Sequence, residues 1–138
     1  MVDCIFCKII AGQIPSTIVH SDENTFSFLD INPANKGHTL VLPRKHYGSL
    51  NQIPAQELGR IFETVQNISK AMEKGLGAEG YNILMNNHKV AGQMVDHAHI
   101  HIIPRFSGDH VSVRLGWEYK KYDKGEEKTV ADKIRKHL

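Results

Sequence analysis

The densest chemistry in this chain lies in seven residues, His97-Ala98-His99-Ile100-His101-Ile102-Ile103, within a sequence whose nine histidines are clustered rather than spread. Extended backbone has a period of two, so the spacing predicts a strand over 97–103 with two unlike faces. One face carries His97, His99 and His101, and the other carries Ala98, Ile100 and Ile102. The aliphatic face suits a core and the imidazole face suits a site. Three readings of that face are open. It can be a polar surface strand. It can hold a metal ion, but residues four apart on a strand are about 13 Å apart and zinc–nitrogen bonds are about 2.1 Å. The first and third rings therefore reach one ion only on a bent strand. The third reading divides the work among the rings and makes one of them a nucleophile. That chemistry needs a neutral imidazole, the right tautomer and neighbours that bind the electrophile's charge, and the geometry favours it.

A second group is Cys4-x-x-Cys7, which is half of a metal site. The chain has only these two cysteines, so a disulfide framework is excluded and any further ligands must be His, Asp or Glu. Two thiols without metal remain a second reading. A redox pair is a third, though no thioredoxin-like βαβ context surrounds it.

These groups need elements to position them. Alternation predicts strands at 17–20, at 25–30 with Phe26, Phe28 and Asp30 on one face, and at 38–42 with His38, Leu40 and Leu42 on one face. The turn residues Asn32-Pro33-Ala34-Asn35-Lys36-Gly37 separate the last two. Leu58, Ile61, Phe62, Val65, Ile68 and Met72 form one apolar stripe, which predicts a long helix over 55–75. Pro54 suits its start, and Gly75 and Gly77 suit its end. Strands at 81–85 and 97–103 then flank the loop 87–96. Short helices are expected around 4–11 and, from Val130, Ile134 and Leu138, near the C-terminus. Strands, one long helix and more strands predict an α+β domain with an antiparallel sheet and a helix across one face.

The chain's 138 residues fit a single domain, with a core over 4–106 and a C-terminal extension over 107–138. No run approaches 18 apolar residues, which argues against a membrane span. The first residues show no signal peptide, so a cytoplasmic protein is expected. A net charge of +2 without a basic stripe argues against nucleic-acid binding.

The triad run resembles the signature of the histidine triad family, His-φ-His-φ-His-φ-φ with φ apolar. Cys4-Ile5-Phe6-Cys7-Lys8-Ile9-Ile10, Phe28-Leu29-Asp30-Ile31, Gly37-His38-Thr39-Leu40-Val41-Leu42-Pro43 and Gly92-Gln93 follow in that family's order. The likeness covers roughly residues 4–106 and points to the Hint-like branch with an N-terminal Cys pair. It implies a five-stranded antiparallel sheet with one long helix and a short N-terminal helix, and a homodimer that joins two sheets into ten strands. It also implies attack on the α-phosphate of a purine nucleotide of the AMP or GMP type.

Residue by residue, the resemblance makes His99 the nucleophile of a nucleotidyl-histidine intermediate, His101 a phosphate contact and His38 the histidine that supports the triad. Asp30 matches the carboxylate that accepts from the ribose hydroxyls. Ile5, Phe6, Ile9, Phe28 and Ile31 match the walls of the base pocket. Asn86 matches an amide near the phosphate, and Gly92-Gln93-Met94 matches the phosphate-binding turn, where glycine lets backbone N–H groups approach an anion. The family usually carries Ser or Thr where this chain has Met94. Relatives with the Cys pair hold a structural zinc, whose ligands here would be Cys4, Cys7, His46 and His97. The implied activity is a nucleoside 5′-phosphoramidate hydrolase or related nucleotide hydrolase. The alternatives are a zinc-stabilised nucleotide-binding adaptor with little turnover, or a dinucleoside polyphosphate hydrolase.

Overall fold

The alternation at 25–30 and 38–42 folds into the two inner strands of the sheet, β2 (Thr25–Leu29) and β3 (Thr39–Pro43). They are antiparallel and in register from Thr25 opposite Pro43 to Leu29 opposite Thr39. The computed structural model describes residues 3–109 and 120–138, so part of the C-terminal extension lies outside the described residues. β1 (Ile18–Ser21) pairs with β2, β5 (Ile100–Arg105) with β3, and β4 (Gly80–Leu84) with β5. Every pairing is antiparallel and the strand order is β1-β2-β3-β5-β4. Among the described residues three α-helices accompany the sheet: α1 (Ile5–Ile10), α2 (Ala55–Leu76) and α3 (Glu126–Arg135). This is the α+β architecture expected, with element ends shifted by a residue or two.

The period of two gives the sheet a different partner on each face. Val41, Ala98, Ile100 and Ile102 pack against Ile61, Val65, Ile68 and Met72 of α2. Phe26, Phe28, Leu40 and Leu42 pack against Phe6 and Ile9 of α1 and against Cys4. Each buried Val, Leu, Ile, Phe or Met side chain among them contributes about 1.5–3 kcal/mol. α2 ends at Gly77, whose φ of 68° is left-handed and whose N–H donates to the Met72 carbonyl. None of α3's residues is buried. Among the described residues, no helix is long and apolar enough to cross a membrane.

One boundary differs in a way that matters. The strand expected over 97–103 begins only at Ile100. The Ala98 N–H donates to the Tyr47 carbonyl at 2.6 Å and the His97 N–H to the Val95 carbonyl at 2.8 Å, so neither joins the ladder. The neighbouring strand ends at Pro43, which has no N–H to extend the pairing. The alternation of faces nevertheless continues through His97 and His99, because Ala98 still packs with Ile100 and Ile102.

Candidate active site

The imidazoles form a row on the α1 face. Ring centroids are 5.0 Å apart for His46 and His97, 4.9 Å for His99 and His101, and 5.2 Å for His38 and His101. Phe6 of α1 meets both His97, at 6.0 Å, and His99, at 5.1 Å, edge to face. The helix therefore divides the row as well as covering it.

Hydrogen-bond partners fix the tautomer of each ring, with the proton on Nδ1 in His99 and on Nε2 in the other three. His99 Nδ1 lies 2.7 Å from the His97 carbonyl, which can only accept, so Nδ1 carries the proton and Nε2 keeps its lone pair. His38 Nδ1 accepts from the Ala34 N–H at 2.9 Å. Its Nε2 then donates to His101 Nδ1 at 2.9 Å, with Asp30 Oδ2 3.7 Å from the same nitrogen. His101 is left with a donor at Nε2. His97 donates from Nε2 to the Pro43 carbonyl at 2.8 Å, which leaves Nδ1 bare.

The rings are also held neutral. Burial pushes His99, His97 and His38 below the ordinary histidine range, outweighing the opposing pull of Asp30 and the backbone carbonyls. Burial, with His99 and His38 close by, takes His101 down to about 4. At neutral pH the site thus offers one uncharged nucleophilic nitrogen, on His99, beside one uncharged donor, on His101.

A cavity of about 440 Å³ lies over this pair. Its walls include Ile5, Phe6, Ile9, Phe28 and Ile31, with Asp30 among them, and it also takes in Asn86, Gly92, Met94, His99 and His101. Ile31 and Met94 stand at the open rim, 90% and 91% exposed. Asp30 keeps its turn as well: Oδ1 accepts from the Asn32 N–H at 2.9 Å. A carboxylate offers about four acceptor positions, so this bond leaves capacity for a ligand. Gly92 has a φ of +93°, and a side chain there would be strained. The Asn86 amide reaches the Gly92 carbonyl at 3.5 Å across the turn.

Two of the expected residues do not line the cavity. His38 stands behind His101. Gln93 is 8% exposed and turns into the loop. Its Oε1 accepts from the His88 N–H at 2.7 Å, and its Nε2 donates to the carbonyls of Gly48 at 2.8 Å and Val95 at 2.9 Å. His88 has a φ of 71°, a conformation rare for a residue with a side chain, and the Gln93 bond helps to hold it. Gln93 therefore shapes the turn with its side chain. Gln93→Ala leaves the His88 N–H and the Gly48 carbonyl without that partner, while the Val95 carbonyl keeps the His97 N–H, and is expected to cost about 1–3 kcal/mol, measured as a shift in the urea unfolding midpoint.

The sequence reading did not single out Ile14, Pro15, Ser16, Asn32, Leu40 or Val95, which complete the cavity. Asn32 was legible only as a turn residue and Leu40 only as core. The others sit in loops without periodicity. A larger cavity, about 690 Å³ between α2 and the β1 edge, is lined chiefly by apolar groups such as Ile68, Met72 and Phe106 and lies on the other face of the sheet from the imidazoles.

Cys4, Cys7, His46 and His97 converge on one point, their ligand atoms all within 4.8 Å of one another. Cys4 Sγ lies 3.5 Å from His97 Nδ1, and Cys7 Sγ lies 3.6 Å from that atom and 3.4 Å from His46 Nδ1. A tetrahedral zinc with Zn–S of about 2.3 Å and Zn–N of about 2.1 Å sets sulfur–nitrogen edges of about 3.6 Å. The four donors fit that ion, and the bare Nδ1 of His97 is the tautomer it needs. Asp30, His38 and His101 also lie within 4.8 Å of one another. Both His38 nitrogens and His101 Nδ1 are engaged with each other and with the Ala34 N–H, so this group is a hydrogen-bonded ring pair beside a carboxylate.

The chain is similar to known proteins along most of its length. The HIT domain matches residues 11–108. An HIT-like protein of Methanocaldococcus jannaschii is 52% identical over 87% of this chain and 92% of its own. Adenylylsulfatase HINT3 of Arabidopsis thaliana is 38% identical over 99% of this chain and 70% of its own, and adenosine 5′-monophosphoramidase HNT1 of Candida albicans 36% over 98% and 91%. Among solved structures, a Bacillus subtilis HIT-family protein superposes with a TM-score of 0.89 at 37% identity, covering 99% of this chain and 98% of that one. A zinc-bound histidine triad protein of Mycobacterium smegmatis does so with a TM-score of 0.76 at 33% identity, covering 99% and 98%.

Proposed function

The chain belongs to the histidine triad (HIT) family, and from the chemistry of its site we propose that it hydrolyses purine nucleoside 5′-phosphoramidates of the AMP or GMP type. The observation that carries the reading is the tautomer of His99. A neutral ring, with Nδ1 donating to the His97 carbonyl, presents a bare Nε2 to a cavity that also holds a carboxylate, Asp30.

In this reading the base lies between Ile5, Phe6, Ile9, Phe28 and Ile31, and Asp30 accepts from the ribose hydroxyls. His101 Nε2–H, Asn86 and the Gly92-Gln93-Met94 turn hold the α-phosphate, the turn through its backbone. The His99 Nε2 lone pair forms a bond to the α-phosphorus. The P–N bond breaks, and its electron pair leaves with the nitrogen, which has taken a proton from solvent and departs as an amine. Water then attacks the phosphorus and loses a proton to solvent, while the P–Nε2 bond breaks and its pair returns to His99. One hard displacement becomes two easier ones. His38 holds His101 in the donor tautomer, and burial keeps both rings uncharged.

Zinc at Cys4, Cys7, His46 and His97 supports the site without entering the reaction. Bound there, it would supply folding free energy and tie α1 and its N-cap, through Cys7 and Cys4, to the loops after β3 and before β5. A cytoplasmic location would keep both thiols reduced for that ion. Among the described residues no strand covers the outer edge of β4, and Tyr81, Ile83 and the neighbouring Phe62 of α2 are 41–43% exposed. An apolar strand edge invites pairing, which supports a homodimer in which two β4 strands join the sheets into ten strands.

The direct test is turnover of adenosine 5′-phosphoramidate by the purified protein, followed as release of AMP. Met94 favours one other reading, a nucleotide-binding adaptor, because a thioether cannot donate a proton or hydrogen bond to a departing group. Nucleotide binding without AMP release would establish that alternative.

Two further outcomes follow. Asp30→Asn is expected to weaken ribonucleotides by about 1.5–3 kcal/mol and their 2′-deoxy analogues by less, measured by titration calorimetry. Equal losses would mean that Asp30 does not read the ribose. Met94→Ser places a hydroxyl beside the leaving group. It is expected to raise kcat by roughly 3–10-fold for poor leaving groups, well below the 10²–10³ of an evolved donor, and to do little for good ones. Rates over a series of amines of rising pKa check this. An unchanged slope would make Met94 a packing residue of the loop.

A further inference from the structure

A second cavity, about 430 Å³, adjoins the catalytic one and shares Ile5, Ile14, Met94 and Val95 with it. The exposed Met94 side chain stands on the ridge between them. Beyond the ridge the lining becomes charged, with Asp3, Lys8 and Asp96. Asp3 and Lys8 pair at 2.7 Å and offset each other. Asp96 is exposed, and among the described residues no hydrogen bond or ion pair engages its carboxylate. Among the described residues this wall therefore carries a net negative charge, with the neutral ring of His97 as the group that feels it.

We propose that this second cavity receives the leaving group, and that Asp96 makes the enzyme prefer amines bearing a second positive charge over neutral or anionic leaving groups. The inference rests on the phosphoramidase reading above. In that reading Phe28, Asp30 and Ile31 are occupied by the nucleoside. Of the shared wall, Met94 and Val95 continue the phosphate-holding turn, so a group departing from phosphorus leaves across them. The aliphatic stem of an alkyl amine suits Met94, Ile5 and Ile14, and a terminal ammonium suits Asp96. Attack by His99 breaks the P–N bond, and the nitrogen leaves with the bonding pair and a solvent proton. The second ammonium undergoes no chemistry. A sulfate, phosphate or carboxylate in the same place meets an uncompensated carboxylate.

The test compares kcat/KM for three adenosine phosphoramidates, made from 1,3-diaminopropane, propylamine and 3-aminopropanoic acid, with the unsubstituted phosphoramidate as reference. The wild-type protein is expected to prefer the diamine over propylamine by about two- to fivefold, the range of an exposed ion pair, and to handle the carboxylate derivative worst. Asp96→Asn should bring the diamine-to-propylamine ratio to about one, and Asp96→Lys should invert the order. A packing role for Asp96 would lower all three rates together and leave the ratio unchanged. Should both variants fail to fold, raising the salt to about 1 M must shrink the wild-type ratio by screening. A wild-type ratio at or below one, a ratio that survives Asp96→Asn, or a ratio indifferent to salt overturns the proposal. If the unsubstituted phosphoramidate is turned over but charge makes no difference, this inference alone falls. If no adenylate is turned over, the functional reading falls with it.

Discussion

His99→Ala is expected to lower kcat for adenosine 5′-phosphoramidate by about 10³-fold or more, the usual consequence of removing a nucleophile. Binding of AMP should stay within about tenfold, because the base pocket, Asp30 and the turn at Gly92 are untouched. The two quantities separate because, in the proposed reaction, His99 Nε2 bonds to phosphorus while other groups hold the nucleotide. His99 is 5% exposed against Phe6, so truncation also leaves a small void. Circular dichroism and the unfolding midpoint distinguish a folded, inactive variant from a collapsed site. Retention of more than a tenth of the wild-type kcat would show that another group attacks the phosphorus.

The second large effect concerns the metal. Metal analysis of protein purified without chelator is expected to give one zinc per chain. Cys4→Ala, or removal of the ion by a chelator, should then lower Tm by about 10–20 °C, equivalent to several kcal/mol for a domain of this size. Structural zinc in small peptides binds with roughly 10–16 kcal/mol, comparable to the whole stability of an ordinary domain. The loss here is smaller because α2 and the sheet have their own core. His97 links the two effects: its Nδ1 faces the sulfurs, while its carbonyl holds the His99 tautomer. Loss of zinc should accordingly reduce turnover as well as stability. A metal-free protein, fully folded and with a Tm indifferent to added zinc, would remove the ion from the account.

Much of the fold was legible because it depends on short periods. Phe26 and Phe28 against Leu40 and Leu42, and Ile61 to Met72 along α2, are patterns of two and of three to four that reveal which side is buried. The histidine row was legible for the same reason, although its first two members lie outside the strand. Their alternation survives because Ala98 and Ile100 are held in the α2 core, while Pro43 stops the ladder beside them. The groups that assign each ring its role were not legible. The Pro43 carbonyl, the Ala34 N–H and the His97 carbonyl are backbone groups, which almost any residue type could supply. Gln93 shows the same limit: its place beside Gly92 suggested a ligand contact, yet its amide ties together three backbone groups of the loop. Asp30 does two things at once, with one oxygen closing a turn onto the Asn32 N–H while the residue lines the cavity. The Asp96 carboxylate gave no signal at all, since a lone acid between Val95 and His97 has no pattern until the second cavity is seen.

The central claim is that two displacements occur at phosphorus, with His99 covalently attached between them. Stereochemistry tests this directly. An adenosine 5′-phosphoramidate made chiral at the α-phosphorus with one sulfur would be hydrolysed in heavy-oxygen water, and the configuration of the product determined. Two in-line displacements each invert the centre, so net retention is expected. Net inversion would mean that water attacks the phosphorus in a single step, and that His99 serves as something other than the nucleophile.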